Sequence, residues 1–454
     1  MLRSMSFRTE LRALFRLALP LAASQAGTQL MGLVDVAVMG RLGARELAAT
    51  GIGNAVFFAF TVFGMGIVLG IDPLVAQAVG AGDRLRARRA LWQGVWLAFA
   101  VSAVLTVCML AAAAALPLLG TPDLVDGART FLLIRTASVV PFLLYYVIRS
   151  YLQAHGVTQP LVVSMVVANI ANLGANIVLV FGGDVLPMWA GPFRLIPAMG
   201  IAGSALATLA CSFLQLGIVA HAVRGIEVNG YVDHGWGRAE VQKALKVGLP
   251  IGLQMGAEVG VFALVALLAG RLGTLHLAAH QLVISLASFT FTIAVGVATA
   301  GSVRVGLAVG ARDRAGARTA GHAAFVCGAL VMGCSAALFA LMPRAIARLV
   351  TDQENVIAFA IPLLLVAAVF QLSDGVQAVG AGVLRGAGDT RYAFYANLVG
   401  HWLIGFPTAL YLGFHRHMGV VGLWWGLCVG LTAVAILLFV RFQKLSAGFI
   451  EPLA

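Results

Sequence analysis

From Val247 to Gly270 the chain carries one ionisable side chain, Glu258, near the middle of an otherwise apolar run. The run is long enough to cross a bilayer, which takes about 20 apolar residues of helix. In hydrocarbon every backbone N–H and C=O must be satisfied within the protein, so such a run folds as a helix. A bare charge at that depth costs roughly 2.5–3.5 kcal/mol on insertion scales. Packing alone does not explain a carboxylate there. An intramembrane ionisable group points first to a substrate or ion pathway.

The same kind of run recurs along the chain. Hydrophobic residues make up 61% of the 454 and charged residues 11%, against roughly 25% charged in an ordinary soluble domain. Mean hydropathy is +0.96. We read twelve spans, at 14–39, 47–80, 90–117, 128–152, 159–182, 196–223, 244–270, 276–309, 320–342, 355–385, 391–413 and 419–442. The expected fold is an all-α polytopic membrane protein. The net charge of +12 would suggest nucleic acid in a soluble protein. Here the positive-inside rule accounts for it, and no nucleic-acid partner is expected. With the N-terminus inside, 21 of the 30 Lys and Arg fall in inside segments and 9 in outside ones. That bias places both termini in the cytoplasm. The basic start, Met1 to Arg16, leads into a run continuing past Pro20 to Gly40 without a convincing cleavage site, so no removable signal is expected. Cys108, Cys211, Cys327, Cys334 and Cys428 all lie in apolar runs with no metal or redox spacing and read as buried thiols used for packing.

An internal repeat divides the chain. Leu19-Pro20 recurs as Leu249-Pro250, and Gly40-Arg41-Leu42-Gly43 as Gly270-Arg271-Leu272-Gly273. Leu47-Ala48-Ala49 recurs as Leu277-Ala278-Ala279, and Val79-Gly80-Ala81 as Val309-Gly310-Ala311, all at an offset of 230 residues. Further on, Gly156 and Thr158 match Gly388 and Thr390 at an offset of 232. Each copy holds six spans, an even number, so both insert the same way up. The expected architecture is two six-helix lobes related by a pseudo-two-fold axis along the membrane normal, as in many secondary transporters. The N-terminal lobe is placed at 1–225, a cytoplasmic linker at 226–243 and the C-terminal lobe at 244–454.

Asymmetric positions between the copies report task. Glu258 falls opposite Thr28, and Asp35 opposite Val265. Four acids lie in apolar runs: Asp35, Asp72, Glu258 and Asp374. Glu258 and Asp374 sit near the middles of spans seven and ten. Two carboxyls in one bundle could share a proton or hold a monovalent cation between their oxygens. The alternative is a buried carboxyl satisfied by Gln254 or Gln377. Asp35 lies in the outer third of span one, where an outer-vestibule residue is the alternative, and Asp72, before Pro73, reads as structural. Polar stripes run Gln25, Thr28, Gly32, Asp35 on span one, Asn169, Asn172, Asn176 on span five, and Gln281, Ser285, Ser288, Thr292 on span eight. Each holds one helical face. Interhelical hydrogen bonding explains one stripe as well as a cavity does; three stripes beside carboxylates favour a hydrated or ligand-filled cavity.

Other chemistry finds little support. The glycines at 380, 382 and 386 follow no strand, and no P-loop GKS/T exists, so ATP hydrolysis is unsupported. No HExxH or nucleophile–base pair suggests an enzyme. The histidines show no ligand spacing and read as loop or packing residues. No cofactor is implied.

Several segments together resemble the multidrug and toxic compound extrusion (MATE) family, specifically its NorM-like bacterial branch. They are Leu33-Val34-Asp35-Val36-Ala37-Val38-Met39-Gly40, Pro73-Leu74-Val75-Ala76-Gln77, Leu249-Pro250 through Glu258, Ala279-His280-Gln281 and Arg304-Val305-Gly306. Ser373-Asp374-Gly375-Val376-Gln377, Gly382 to Gly386 and Asp389-Thr390-Arg391 complete the set. The resemblance covers nearly the whole chain. It implies export of bulky, often cationic drugs and dyes in exchange for Na+ or H+. It implies Glu258 and Asp374 as coupling-cation carboxylates, and Asp35 with Asn172, Asn176 and Thr208 as an N-lobe cation or substrate cluster. Gln281 is implied to line the central cavity. Many NorM-like members carry Tyr one turn before the span-ten Asp; here Phe370 keeps a ring near a cation without the hydroxyl, which opens the choice between Na+ and H+. We take Phe370 with Gln25, Thr28, Gln281, Ser285, Ser288 and Thr292 as cavity-lining. Phe289, Phe291, Tyr395 and Trp402 are candidate apolar walls. The expected protein is a monomeric antiporter of the bacterial inner membrane, embedded in the lipid bilayer. A flippase for lipid-linked oligosaccharide precursors, from the same superfamily, is the alternative, and an ion channel the second.

Overall fold

The computed structural model describes residues 6–118 and 122–453. Arg3, one of the basic residues counted at the N-terminus, lies outside them. The regular structure of the described residues is helical, with no strand. In chain order the helices are α1 (Phe7–Leu42), α2 (Ala44–Val68), α3 (Ile71–Gly80), α4 (Arg84–Ala115), α5 (Pro122–Thr136), α6 (Val139–Ala154), α7 (Gln159–Phe181) and α8 (Ile201–Val223). The second copy follows as α9 (Arg238–Leu272), α10 (Thr274–Gly310), α11 (Arg314–Leu341), α12 (Pro343–Arg348), α13 (Glu354–Ala387), α14 (Thr390–Asn397), α15 (Phe406–Leu410) and α16 (Gly419–Ala447). Two π-helical segments, Leu398–Gly405 and Tyr411–His415, flank α15.

Among the described residues nine helical runs are long and apolar enough to span a membrane, with α2 and α3 counted as one. The α5–α6 pair, bent by 46°, makes a tenth. Helix α1 and the segment from α14 through the second π turn supply the other two of the twelve spans. The middle of α1 carries Ser24, Gln25, Thr28 and Gln29, which lower its hydropathy, and the π turns divide the eleventh span into short helical pieces. This is a multi-pass membrane protein.

Local chemistry explains the interruptions. Residue 70 is Gly where its repeat partner is Ala300, and the chain breaks between α2 and α3 there while α10 runs through. A Cβ at Gly70 would strike the Ala244 carbonyl and the backbone of Gly248 at the start of α9. Pro407 follows the first π segment. A proline ring clashes with the carbonyl four residues back, and the wider π turn accommodates it. The N–H of Phe406 reaches back five residues to the His401 carbonyl.

Contacts group the chain into two compact units, which do not follow the 1–225 and 244–454 division. One comprises residues 1–25, 72–84 and 249–454, the other 26–71 and 85–248. In the first unit α10 lies along α13 and α13 along α16, around a core that includes Val261, Val265, Leu282, Leu363, Leu364, Trp424 and Leu431. The second holds a smaller cluster of Val38, Met39 and Val180, flanked by Leu42, Leu47 and Ile201.

Within the first unit α3 and α10 meet reciprocally. A Cβ on Gly80 would fall on the carbonyl of Leu307, and one on Gly310 on that of Gln77. Residues 80 and 310, and 77 and 307, are repeat partners at the 230 offset. Residue i meeting j′ while i′ meets j is the pattern that a two-fold relation between copies generates. Polar pairs join the copies nearby: Arg304 Nε to Glu10 Oε1 at 2.7 Å, Arg385 Nη1 to Asp72 Oδ2 at 3.5 Å, and Gln77 Nε2 to the Gly386 carbonyl at 3.0 Å. Asp72 is thus structural, held in an ion pair.

Candidate functional site

The first unit contains a carboxyl cluster. Glu258 projects from α9, Asp374 and Gln377 from α13, and Asn397 from the end of α14. Gln377 Nε2 and Asn397 Nδ2 both approach Glu258 Oε2 at 3.4 Å. Their amide oxygens, buried, have no hydrogen-bond partner. Asp374 is 5% exposed and interacts electrostatically with Glu258. Among the described residues nothing donates a hydrogen bond to its carboxylate. Glu258 itself is only partly buried. Two carboxylates and two free amide oxygens form an all-oxygen set, the donor type that hard cations take; a proton serves equally to discharge either acid. Gln377, one alternative partner of Glu258, does reach it, but at a length that leaves the charge weakly met. Gln254 is buried elsewhere on α9 without a recorded bond to Glu258.

An aromatic layer covers this cluster one helical turn along. Phe262, four residues after Glu258, packs edge-on against Phe370 with centroids 6.2 Å apart, and Phe370 against Trp424 at 5.5 Å. Trp424 Nε1 donates to His280 Nδ1 at 3.2 Å. Phe370, expected to line a cavity, is instead 2% exposed. Its ring is held between two other rings, so the position is filled by packing. Thr292 also departs from expectation. It is 6% exposed and its hydroxyl donates to the Phe289 carbonyl of its own helix, so it lines no open face. Gln281, Ser285 and Ser288 on α10 are exposed, with Ser285 Oγ bonded back to the Gln281 carbonyl at 2.7 Å. Of the candidate walls, Phe289 and Tyr395 are exposed, Phe291 is partly buried, and Trp402 Nε1 donates to the Ala257 carbonyl at 3.2 Å. Gln25 is partly buried.

The second unit holds the other cluster. Asn176 Nδ2 donates to Asp35 Oδ1 at 2.8 Å and Thr208 Oγ1 to Asp35 Oδ2 at 3.1 Å. Asn172 Nδ2 contacts Thr208 Oγ1 at 3.4 Å. The four residues named for this cluster therefore meet, from α1, α7 and α8. Asn169, on the same stripe, instead donates to the Gly27 and Met165 carbonyls. Thr28 is exposed, its hydroxyl 3.9 Å from the Met165 sulfur.

Two members escape the sequence reading. Asn397 lies where span eleven leaves α14, and nothing local distinguishes it from an interfacial asparagine. Arg135 is different: it falls inside the fourth span, where an ionisable residue is the same signal that singles out Glu258. Counting it as an outside loop residue misses it. The structure places it at the α5–α6 bend, 9% exposed, its guanidinium 4.2 Å from the Phe57 ring and near enough to Asp35 to feel its charge without forming an ion pair. Asp35 is thus opposed by a protein cation and two close donors, whereas Glu258 and Asp374 face amides and each other. Among the thiols, Cys334 is exposed and Cys108 partly so; the other three are buried.

The family model described as MatE matches residues 20–178 and again 250–411. The two matches begin 230 residues apart, the offset of the repeat. The chain is 34% identical over 446 residues to a probable multidrug resistance protein NorM of Pseudomonas putida, covering 96% of this chain and 94% of that protein. It is 35% identical over 456 residues to a protein of the same description from Mesorhizobium japonicum, covering 96% and 94%. A crystal structure of MATE in the straight conformation superposes with a TM-score of 0.86 at 20% identity, over 96% of each chain; it shares the fold. Two copies of one family model on a twelve-span helical chain, with full-length relatives, place this protein in the MatE family.

Proposed function

We propose that the chain is a secondary multidrug exporter in which Glu258 and Asp374 bind the coupling cation, Na+ or H+. The observation that carries the reading is Asp374: a carboxylate 5% exposed, with no hydrogen-bond donor and a second acid beside it. An isolated buried charge is prohibitively costly, so the group calls for a proton or a cation. The gradient supplies about 2.3 kcal/mol per charge per 100 mV, plus the concentration difference. Ion binding at the pair opposes binding of a cationic amphipathic drug in the same negative field, and ion release restores it. Alternation then follows from rocking of the two repeats about the substrate. Relatives described as multidrug resistance proteins support drugs as substrates. The 21-to-9 basic bias supports cytoplasmic termini in a bacterial inner membrane. A flippase for anionic lipid-linked sugars is disfavoured, because the buried charge without a donor in the first unit, Asp374, is acidic.

The test is drug-dependent Na+ or H+ movement in proteoliposomes. Glu258→Gln and Asp374→Asn should each abolish it while the purified protein remains monodisperse. Undiminished antiport by the Glu258→Gln protein overturns the assignment.

A further inference from the structure

Residues 224–237 join α8 to α9 and so connect the two copies of the repeat. The end of this hydrophilic stretch is docked on α4, within the second unit. Trp96 Nε1 donates to the His234 carbonyl at 2.8 Å. Gln93, itself buried, donates to the Gly235 carbonyl and accepts from the Gly237 N–H, both at 2.9 Å. His234 packs edge-on against Trp92 with centroids 4.6 Å apart, and Trp236 against Trp96 at 6.3 Å. For all these ties, Trp236 keeps 52% of its surface exposed.

Helix α4 shows what that ring faces. From Trp96 onward every exposed residue of α4 is apolar, with Phe99, Val104, Val107 and Leu110 the largest. The exposed face of α10, by contrast, carries Gln281, Ser285 and Ser288. A helix face as apolar as lipid tails borders hydrocarbon rather than a hydrated cavity. From Trp96 to the end of α4 at Ala115 the helix rises about 29 Å at 1.5 Å per residue, which matches a hydrocarbon core about 30 Å thick. Trp96 therefore marks the edge of the hydrocarbon, a depth that tryptophan favours. The segment hydrogen-bonded to it lies at the level of the lipid headgroups, and Trp236 extends the lipid-facing surface of α4.

The charge around this segment is basic. Arg238, Lys243 and Lys246 occupy the first turns of α9, just after Trp236, with Arg238 and Lys246 exposed. Two acids stand nearby, and Arg89 meets both, Glu240 at 2.8 Å and Asp233 at 3.9 Å. Lys243 lies near enough to Arg86 to feel its like charge, as well as the charge of Glu240. Cations gathered at a membrane surface attract anionic lipids over about a Debye length.

We propose that residues 234–237 and the first turns of α9 form a binding surface for the headgroup of an anionic phospholipid. Trp236 and Trp96 meet its glycerol region, and Arg238, Lys243 and Lys246 meet its phosphate. The surface stands apart from both carboxyl clusters. It fixes the joint between the repeats to the charge of the surrounding membrane.

The test titrates the full-length protein in neutral detergent micelles with phosphatidylglycerol or phosphatidylcholine, each brominated on its acyl chains near the headgroup, and follows quenching of tryptophan fluorescence. The wild type should bind phosphatidylglycerol at least about tenfold more tightly than phosphatidylcholine, since each basic residue near an anionic surface is worth about fivefold. Lys243→Gln and Lys246→Gln should each lose about fivefold of that preference and leave phosphatidylcholine binding within about twofold. Added salt should weaken phosphatidylglycerol binding in the same direction. Trp236→Phe should remove part of the quenching amplitude. Arg238→Gln, at an exposed position, repeats the charge test if a lysine variant unfolds. Equal affinity for the two lipids overturns the proposal, as does a preference that survives in folded charge variants. Full quenching amplitude in Trp236→Phe overturns it too, because the ring would then lie away from lipid. Displacement of the lipid by an equal concentration of soluble glycerol phosphate overturns it in favour of a site for free phosphate.

Discussion

Among the described residues nothing donates a hydrogen bond to Asp374, whereas at Asp35 burial is opposed three ways. Asn176 and Thr208 donate to Asp35 at 2.8 and 3.1 Å, and Arg135 adds an opposite charge. A carboxylate so furnished has partners of its own; one left bare depends on a visitor. Two predictions follow at this scale. Asn397→Ala removes a contact whose 3.4 Å length puts it below a full charge-assisted bond, so about 1 kcal/mol, or roughly fivefold in apparent affinity for the coupling ion, should be lost. Ion-dependent transport titrated in vesicles measures it. Asp35→Asn removes the acid whose charge the buried Arg135 guanidinium feels, which leaves that cation less compensated. The melting temperature in detergent should fall by roughly 5 °C. Adding Arg135→Gln should recover most of the drop, whereas an additive double variant would show that the two charges do not sense each other.

Several helices in this protein approach closely through glycine. Little hydrophobic force acts between helices in lipid, so close approach of backbones and the dispersion it brings must hold them together. The reciprocal contact of α3 and α10 is the plainest case, with Gly80 and Gly310 each against a carbonyl of the other helix. Gly80→Val or Gly310→Val should cost about 1–3 kcal/mol by overpacking, read as a lower unfolding temperature. Gly32 has nothing within 4 Å of its missing Cβ. Gly32→Ala should therefore be neutral or stabilising by up to about 1 kcal/mol, since alanine is the better helix former.

For the molecule as a whole, the cross-copy contacts of the first unit bear on the transport cycle. Glu10 with Arg304, Asp72 with Arg385 and Gln77 with Gly386 tie the start of the first repeat to the second. If the repeats rock, these ties and the α3–α10 contact must break in every cycle. A protein with Glu10→Cys and Arg304→Cys, its five native cysteines replaced, should be bridged by a short bis-thiosulfonate reagent and stop transporting, and reductant should restore it. Full transport by the bridged form would mean that α1 and α10 stay together throughout.

The twelve spans, the 230-residue repeat and the buried acids were all legible from residue order. Hydrocarbon makes these local properties: it forces each apolar run into a helix by itself, and it penalises an acid wherever one stands. Glu258 could therefore be singled out without knowing its neighbours. Which side chains share a site depends instead on how each helix is rotated, and that is fixed by packing. Phe370 turns out to be wedged between Phe262 and Trp424, Thr292 bonds to its own helix, and Cys334 faces outward. Arg135 comes to Asp35 through a bend between α5 and α6. Asn397 and His401 owe their places beside α9 to an eleventh span that includes a π turn before Pro407. One residue more or less in a turn rotates everything beyond it by about 100°, so tertiary structure alone decided which of the polar residues meet.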